Sequence, residues 1–475
     1  MAPTVTTAAA EYEQLQDGVL LAAEERAPAP ADPRHLFCMV HGLFGSRANW
    51  KVIAEELRDA MREEEGILFY ISEVNEFKKT YEGIDGCGER LVEEIHGLMA
   101  QYPLLEEISI LGHSMGGLIA RYAMGRLYDA ETGRIAGRLL PVHFIGMACP
   151  HLGCDTAPGP AQVPMLKWME AWPVVGPAVA GAVSSVAASF TRASFKRSGE
   201  QFFLGDREAG APPLIWRLAR DEGPGAAFLP ALAAFQTRTA YANTDGDHLV
   251  GWANASLRRL EELPELDGVS GKEEYPGVLR ADPLETAWGP RYGRGQTLPS
   301  GTEGALGDDD YDLPGTGSGR GDEDPPMLKS APTSFTGAPP ASPSPLCGAI
   351  ELHPSPQTAS LPGPLRHQVR YRSAALGSAY DAALHADRTE LVEDTLRALR
   401  TLSWRRVDAG FAHSALPLLA HQHIQVQRLW VNGAGVPVAR HLAHSLRGME
   451  EARREGRRGA RGRGGAAAGR CLGAR

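Results

Sequence analysis

The feature that most constrains the fold is a stretch that reads ISILGHSMGGLIARY, from Ile108 to Tyr122. Its first half is β-branched and apolar, as in a buried strand, and its second half carries apolar side chains at helical spacing. Between the halves lies Gly112-x-Ser114-x-Gly116, a pattern typical of a sharp strand-to-helix turn that presents a serine at the end of a sheet. Because 54 of the 475 residues are glycine, the pattern has meaning only with these flanks. The stretch therefore predicts an α/β fold in which Ser114 is a candidate nucleophile.

Strand-like and helix-like segments alternate along much of the chain. The predicted strands are apolar almost throughout, which is typical of parallel strands that helices cover on both faces. We therefore expect a mostly parallel, doubly covered sheet. The predicted strands are residues 35–41, 67–72, 108–113, 142–149, 237–243 and 404–411, and the predicted helices are residues 48–63, 84–101, 116–130, 389–402 and 436–446.

Composition separates an ordered core, residues 34–264 and 389–446, from segments of low complexity. Residues 265–388 hold most of the Pro, Gly and Ser clusters and an acidic run, and residues 1–33 are rich in Ala, Pro and Glu. Such segments bury too little apolar surface to offset the entropy cost of ordering, so we predict a disordered arm and a long, mostly disordered insertion. For residues 447–475 we predict a disordered Arg/Gly/Ala tail; an RNA-binding tail is the alternative to a solvated end.

Charge and cysteine content narrow the partners and the compartment. The formal net charge of −10 makes the surface as a whole unsuited to nucleic acid or to an anionic membrane. The six cysteines show no metal-ligand spacing, so we expect free thiols in a reducing compartment and no bound metal. The first residues lack the basic and apolar regions of a secretory signal, which predicts a cytoplasmic rather than a secreted protein.

A cap over the site is predicted within residues 155–205, where the alternation of strands and helices stops. Residues 171–190 carry no charge over a length that could span a bilayer, but Pro173 and Pro177 interrupt them and they lie between core strands. We therefore predict a cap whose apolar face binds acyl chains or rests peripherally on a membrane or lipid-droplet surface. A buried packing helix is the alternative interpretation of the same residues.

A serine nucleophile needs a base, and the base needs an acid that orients it. Hydrolases built on such sheets supply these groups in the order serine, acid, histidine. Of the two acids that follow the strand predicted at 237–243, we choose Asp247 because it precedes an apolar pair that would anchor the loop, whereas Asp245 precedes a glycine and suits a turn. One strand later come the candidate bases His413, His421 and His423, and spacing alone leaves the last two open.

Two backbone amides are predicted to stabilise the negative charge that develops on an attacked carbonyl oxygen. Gly42, at the end of the first strand, lets the backbone turn so that the Leu43 amide points toward the serine, and the Met115 amide would be the second donor. Losing one such donor typically costs about 3 kcal/mol of transition-state stabilisation. A glycine-rich strand end without this role is the alternative. The turn residues that shape the site are then Gly112, His113 and Gly116 beside Ser114, and His41 and Gly42 beside Leu43.

Six sequence blocks carry a resemblance to a known family. They are VHGLFGS at 40–46, GIDGCGERLVEEI at 83–95, LGHSMGGLIARYA at 111–123, ACPHLGC at 148–154, YANTDGDHLVGW at 241–252 and WRRVDAGFAHSALPLLAHQHIQV at 404–426. Together they resemble the serine esterases of the lipase-like branch of the α/β-hydrolases, found in plants, algae and fungi. The resemblance implies an α/β-hydrolase fold, with His421 of an Ala-His-x-x-Ile pattern as the base and Asp247 of an Asp-x-x-Val pattern as the acid. This chain departs from the family in having Cys149 where threonine is usual, and in its longer acid-to-base segment.

The expected function is hydrolysis of acyl-lipid esters, of the lipase, phospholipase or monoacylglycerol-lipase type. Ser114, His421 and Asp247 would act through an acyl-enzyme, and the chemistry needs no cofactor. One alternative is acyl transfer to an acceptor alcohol by the same residues. A second is a catalytically idle hydrolase fold that serves as a scaffold, which the Arg/Gly tail and the acidic insertion would suit.

Overall fold

A seven-stranded sheet forms the centre of the computed structural model, which describes residues 30–155, 158–164, 195–207, 210–266, 268–289 and 374–471. The strands in chain order are β1 (His35–Val40), β2 (Ile67–Ile71), β3 (Glu107–His113), β4 (Tyr128–Asp129), β5 (Arg134–Ile135), β6 (Leu140–Met147), β7 (Thr237–Asn243), β8 (Val278–Ala281) and β9 (Arg405–Ala409). Their order across the sheet is β2-β1-β3-β6-β7-β9-β8, while β4 pairs with β5 separately. Only the β8–β9 pairing in this sheet is antiparallel. The predicted mostly parallel sheet is confirmed.

Helices cover both faces of this sheet, as the apolar strands predicted. The α-helices are α1 (Lys51–Ala60), α2 (Ile84–Gln101), α3 (Met115–Leu127), α4 (Lys196–Phe202), α5 (Leu214–Arg217), α6 (Phe228–Ala234), α7 (Trp252–Ser256), α8 (Ala374–His385), α9 (Arg388–Leu399), α10 (Ala420–His423), α11 (Leu429–Asn432) and α12 (Val436–Cys471). Short 3₁₀ helices span Arg47–Trp50, Phe77–Glu82, Leu260–Glu262, Leu284–Ala287, Pro417–Leu419 and Gly433–Gly435.

Alternate side chains of each central strand enter two different cores. On β1, Leu36 and Cys38 pack in the core that includes α2 and α3, whereas Phe37 and Met39 pack in the core that includes α1 and α12. Successive residues of a strand point to opposite faces, so a strand between two helical layers must be apolar at every position. This arrangement explains why all six residues of β1 are buried. It also fixes the carboxyl ends of β1, β3 and β7 at one edge of the sheet, because the strands between them run parallel.

The segment from 265 to 388, predicted as a mostly disordered insertion, contributes ordered elements at both of its ends. β8 pairs with β9, with Val278 opposite Ala409 and Ala281 opposite Val407. α8 lies near the other end. The prediction was wrong for these residues because a four-residue strand shows no periodicity of its own. Its order comes from the backbone of a neighbour that is distant in sequence.

The last helix is longer than the sequence predicted. We expected it to end near residue 446 and to give way to a disordered tail, but α12 continues to Cys471. Met449, Glu450 and Arg453 are buried beyond the predicted end, so tertiary contacts extend the helix by two turns. The following residues combine Ala and Arg, which favour a helix, with six glycines, which do not, so helix propensity does not explain this part of α12.

Several predictions concern residues outside the described part of the chain. They are the arm at 1–29, most of the proposed cap at 165–194, the central insertion at 290–373 and the last four residues. Among the described helices, none has the length and apolar character needed to cross a membrane.

Candidate active site

Ser114 occupies a strained turn between β3 and α3. Its backbone has φ 53° and ψ −130°, a conformation that costs a non-glycine residue free energy and that the surrounding structure must enforce. The residue is 8% exposed and directly precedes the first turn of α3. The unpaired amides and the positive end of the helix dipole at that turn favour negative charge next to the serine. The turn predicted from the glycine pattern thus has the expected geometry.

The two glycines of the pattern allow this turn to pack. A Cβ atom at Gly112 would lie 2.4 Å from the Gly117 backbone nitrogen, and one at Gly116 would lie 2.1 Å from the Val40 carbonyl oxygen. Both distances are far inside van der Waals contact with backbone atoms that cannot move aside. Glycine at these positions therefore allows α3 to pack against the ends of β3 and β1.

Asp247 and His421 form a buried pair at the same edge of the sheet. His421 Nδ1 lies 2.9 Å from Asp247 Oδ2, and the two residues are 7% and 5% exposed. Since the carboxylate can only accept, His421 Nδ1–H donates, and Nε2 is left as the acceptor. Burial would raise the pKa of the Asp247 carboxyl. The charge of His421 and hydrogen bonds from His421, the Val250 amide and Asn243 more than offset this and hold that pKa below that of an exposed aspartate.

The loop after β7 fixes the Asp247 carboxylate. Oδ1 accepts hydrogen bonds from the Leu249 and Val250 amides, both 2.9 Å long, and Oδ2 accepts one of 2.8 Å from Asn243 Nδ2. We expected the apolar pair after Asp247 to anchor the loop. Val250 is buried, but Leu249 is 48% exposed, so the amides of the pair anchor the loop more than the two side chains do. Asp245, the acid that we did not choose, is exposed.

His113, the residue before the serine, connects the turn to the His421 segment. Its Nε2–H donates to the His421 carbonyl oxygen at 2.8 Å, and the two imidazole rings lie 4.8 Å apart. Burial, and after it the charge of His421, lowers the pKa of His113 to about 3, so this ring is neutral. The contact brings His421 close to the nucleophile turn. Among the described residues, no hydrogen bond yet joins the Ser114 hydroxyl to His421, and such contacts often close only when substrate binds.

The other candidate bases are placed differently. His423 donates from Nε2 to the Leu416 carbonyl oxygen at 2.8 Å, and its Nδ1 accepts from Asn432 Nδ2 at 3.3 Å. Both ring nitrogens of His423 are thus used within the loop. His413 is exposed in the turn after Phe411. Of the three histidines that the sequence offered, the structure brings His421 to Asp247.

The loop after β1 packs directly on the serine. A Cβ atom at Gly42 would lie 2.7 Å from Ser114 Cβ and 3.2 Å from Ser114 Oγ. Within the described part of the chain, the amides of Leu43 and Met115 form no backbone hydrogen bond, so both remain able to donate. His41 Nδ1 donates to the Gly42 carbonyl at 3.2 Å, and burial lowers the pKa of His41 to about 4, which keeps its ring neutral.

Sequence reasoning missed Asn243 and the contact made by His113. Asn243 ends β7 and is one of the partners that hold Asp247 in place, yet no motif marks it. A polar residue at the carboxyl end of a core strand was the signal that could have identified it. No group of three or more metal-ligating side chains lies among the described residues, and the described cysteines Cys38, Cys87, Cys149 and Cys154 are free thiols.

Comparison with known proteins finds a family profile that matches residues in the N-terminal half of the chain. Residues 30–257 match the profile of a family described as "Putative serine esterase". A Schizosaccharomyces pombe protein named as a putative lipase is 22% identical over 257 residues, covering 51% of this chain and 29% of that protein. "Putative lipase ROG1" of Saccharomyces cerevisiae is 27% identical over 238 residues, covering 49% and 30%. The resemblance drawn from the sequence blocks is confirmed over residues 30–257.

Among solved structures, an extracellular α/β-hydrolase from a Paenibacillus species is 17% identical. The match covers 34% of this chain and 51% of that one, with a TM-score of 0.20. At that score the likeness carries no argument, and the α/β-hydrolase fold rests on the parallel strand order and on the serine turn. The chain spans less than a third of the length of the two yeast relatives.

Proposed function

We propose that this chain, whose residues 30–257 belong to a lipase-like family of serine esterases, hydrolyses carboxylic esters with Ser114 as nucleophile. The observation that carries the proposal is the 2.9 Å contact between His421 Nδ1 and Asp247 Oδ2, because it pairs a base with its orienting acid beside the strained serine. The three residues come from segments far apart in the chain.

In the first half of the proposed reaction, the Ser114 hydroxyl attacks the ester carbonyl carbon while His421 Nε2 accepts its proton. Asp247 holds the imidazole in the tautomer whose Nε2 is unprotonated, and its negative charge stabilises the imidazolium that forms. The amides of Leu43 and Met115 donate to the carbonyl oxygen as it becomes negative. Collapse of this intermediate breaks the ester bond, and His421 gives its proton to the departing alcohol.

In the second half, a water molecule attacks the acyl group on Ser114, and His421 again serves first as base and then as acid. The carboxylic acid leaves and the serine hydroxyl is restored. The neutral rings of His41 and His113 add no positive charge to the site, so the oxyanion depends on the two amides and on the N-terminus of α3.

Esters of acyl lipids are the proposed substrates. The names of the two yeast relatives, both "Putative lipase", support this class. The four free thiols among the described residues favour a reducing compartment such as the cytoplasm.

A covalent probe tests the nucleophile directly. The folded chain should react with a fluorophosphonate at Ser114, and Ser114→Ala should lose the adduct together with about 10⁴-fold or more of the turnover of a p-nitrophenyl ester. Mass spectrometry of the labelled peptide and initial rates are the measurements. A folded parent that takes up no probe at Ser114 would contradict the proposal. A panel of acyl esters of different chain length, with Ser114→Ala as the blank, then gives the preferred substrate.

The two neighbouring histidines provide a matched control. His421→Ala should lower turnover as far as the Ser114 substitution does, because these residues act as one unit. His423→Ala removes the bonds to Leu416, Asn432 and Ser414, none of which involves Ser114 or Asp247, and should keep most of the activity. If the two variants behave in the opposite way, His423 is the base and our assignment is wrong.

A further inference from the structure

The strongly exposed, large apolar side chains of this chain are concentrated around the Asp247–His421 pair. Nine such side chains occur among the described residues, and five of them lie on three short segments beside this pair. We call these five the Trp430 patch: Leu249 (48% exposed), Leu416 (47%), Leu418 (63%), Leu429 (59%) and Trp430 (83%). Single exposed leucines are common on soluble proteins, but an exposed cluster that includes tryptophan indicates a contact surface.

Contacts of the loop backbone bring the three segments together. His423 is bonded to the Leu416 carbonyl and to the Asn432 side chain, so it joins the segment before α10 to α11, which carries Leu429 and Trp430. A Cβ atom at Gly246 would lie 2.0 Å from the Pro417 carbonyl oxygen, so the Asp247 loop touches the same segment. The five apolar side chains therefore project from one continuous piece of surface.

This surface also differs in charge from the rest of the chain. The chain as a whole has 58 acidic residues, yet none lies between Ala409 and Met449. Arg428 stands directly before Leu429 in this stretch. Asp245, on the neighbouring loop, is exposed. A patch with little negative charge in a chain of net charge −10 is suited to approach phosphate headgroups, which the remaining surface would repel.

We propose that the Trp430 patch docks the chain on a phospholipid bilayer, with the Asp247–His421 pair facing the lipid. Tryptophan and leucine insert at the boundary between headgroups and acyl chains, where an indole ring meets both apolar and polar surroundings. The inference rests on the proposed function, since a site that acts on acyl lipids gains from facing the phase that contains them. It specifies that the contact surface is the Trp430 patch, on the Asp247 loop and the segments around α10 and α11, rather than the cap.

Vesicle binding in the Ser114→Ala background separates docking from catalysis. The full chain is mixed with phosphatidylcholine vesicles, with and without phosphatidylserine, and the bound fraction is measured by flotation. Adding Leu418→Ser and Trp430→Ser should lower the affinity by about tenfold or more, because both side chains lose apolar surface that the bilayer would bury. The matched control is Leu104→Ser with Leu284→Ser, two exposed leucines at the opposite end of the sheet, which should bind as the parent does.

With the serine restored, the same pairs are compared on two substrates. Leu418→Ser with Trp430→Ser should lower hydrolysis of a long-chain ester in vesicles by about tenfold while turnover of a soluble short-chain ester stays within about twofold. Equal binding by both variant pairs, or a parent chain that does not bind vesicles at all, would overturn the docking proposal. Failure of the proposed function is seen separately, as a parent that binds vesicles but takes up no fluorophosphonate.

Discussion

Each end of the central sheet carries a buried cluster of histidines and carboxylates. The polar atoms of the cluster at the amino end bond to one another, whereas several at the carboxyl end have no partner among the described residues. At the amino end, His35 and His143 meet Glu450, Arg453 and Glu107. At the carboxyl end, His41, His113 and His421 surround Asp247 and Ser114. β3 runs from one cluster to the other over seven residues, about 20 Å. Both clusters are buried, and both connect segments near the end of the chain to the sheet.

At the amino end, the polar groups bond to one another. His143 Nε2 donates to Glu450 Oε1 at 3.0 Å, and His143 Nδ1 lies 2.7 Å from Thr237 Oγ1. Arg453 donates to Glu450 Oε2 and makes two bonds of 2.8 Å to the Glu107 carboxylate. The network holds α12 against the sheet. Its hydrogen-bonding atoms are paired with one another, so the network does not offer them to a ligand.

At the carboxyl end, several groups have no partner among the described residues. Both His41 Nε2 and His113 Nδ1 are buried and unbonded, and the amides of Leu43 and Met115 are likewise unused. A buried polar group without a partner costs about 1–3 kcal/mol, so these groups carry a penalty that the bonded atoms of the His143–Glu450–Arg453 network do not. The difference teaches that a buried cluster of histidines and carboxylates marks a structural site or a reactive one according to the hydrogen-bonding capacity that it leaves unused.

Of the substitutions that test this contrast, Asp247→Asn should have the largest effect, and the effect should be on turnover. The amide would present N–H to His421 and favour the wrong ring tautomer, so kcat should fall about 10⁴-fold while the fold persists. Initial rates and a thermal melt on the same preparation measure both quantities. If the activity of this variant is within tenfold of the parent, the carboxylate only packs, and the two ends of the sheet do not differ in the way we describe.

Glu450→Gln is the corresponding change from carboxylate to amide at the amino end. It should lower stability and leave turnover unchanged, the reverse of Asp247→Asn. The amide nitrogen would face the Arg453 guanidinium, which keeps the Glu107 carboxylate as its charged partner, so the lost hydrogen bonds should cost about 1–3 kcal/mol. Turnover per folded molecule should remain near the parent value, because the site is about 20 Å away. Denaturant unfolding followed by fluorescence gives the free energy. A loss of turnover without a loss of stability would reverse the comparison.

The sequence predicted the carboxyl end far better than the amino end. Gly112, Ser114 and Gly116 lie within five residues. The strand-to-helix turn requires glycine at these two positions, so the sequence pattern predicts the turn directly. The positions of strands such as β1 and β3 followed from apolar runs that are local in sequence, whereas their order across the sheet was not predicted.

The amino-end network could not be predicted in the same way. Its members stand on β1, β3, β6 and α12, and each is an ordinary strand or helix residue until the fold brings it to the others. β8 and the extension of α12 were missed for the same reason, because distant neighbours supply their order. The Trp430 patch was missed because exposure is a tertiary property that apolar letters alone do not reveal.

Stability should depend on pH in the same way at the two ends, because each contains a buried histidine with a lowered pKa. Burial, as the largest cause at both, lowers the pKa of His113 and of His35 to about 3, whereas an unfolded histidine titrates near 6.5. Because the folded pKa lies below the unfolded one, the stability they contribute is complete above about pH 6.5 and is lost as the pH falls toward 3.

His113→Gln should therefore flatten the decline of unfolding free energy between pH 6.5 and 5 by up to about 1.4 kcal/mol per pH unit, one proton's worth. The glutamine amide has the length of the imidazole Nε2–H that donates to the His421 carbonyl, which limits other damage. His35→Gln at the amino end should flatten the decline similarly, and denaturant titrations at several pH values measure both. An unchanged slope in the His113 variant would mean that this ring is protonated in the folded chain.

Ser114→Gly and Ser109→Gly compare the two ends on one strand through small changes in the free energy of unfolding. Ser114 has φ 53°, where a side chain costs about 1–3 kcal/mol and glycine costs little, although glycine also loosens the unfolded chain by about 0.5–1 kcal/mol. We therefore expect Ser114→Gly to gain about 1 kcal/mol of stability while it abolishes turnover. Ser109 instead lies 2.8 Å from His35 Nε2 and accepts from the His143 amide, so Ser109→Gly should lose about 1–3 kcal/mol and keep turnover. Opposite signs for two identical substitutions five residues apart would locate the strain at the serine turn. Equal losses would show instead that Ser114 sits in its turn without strain.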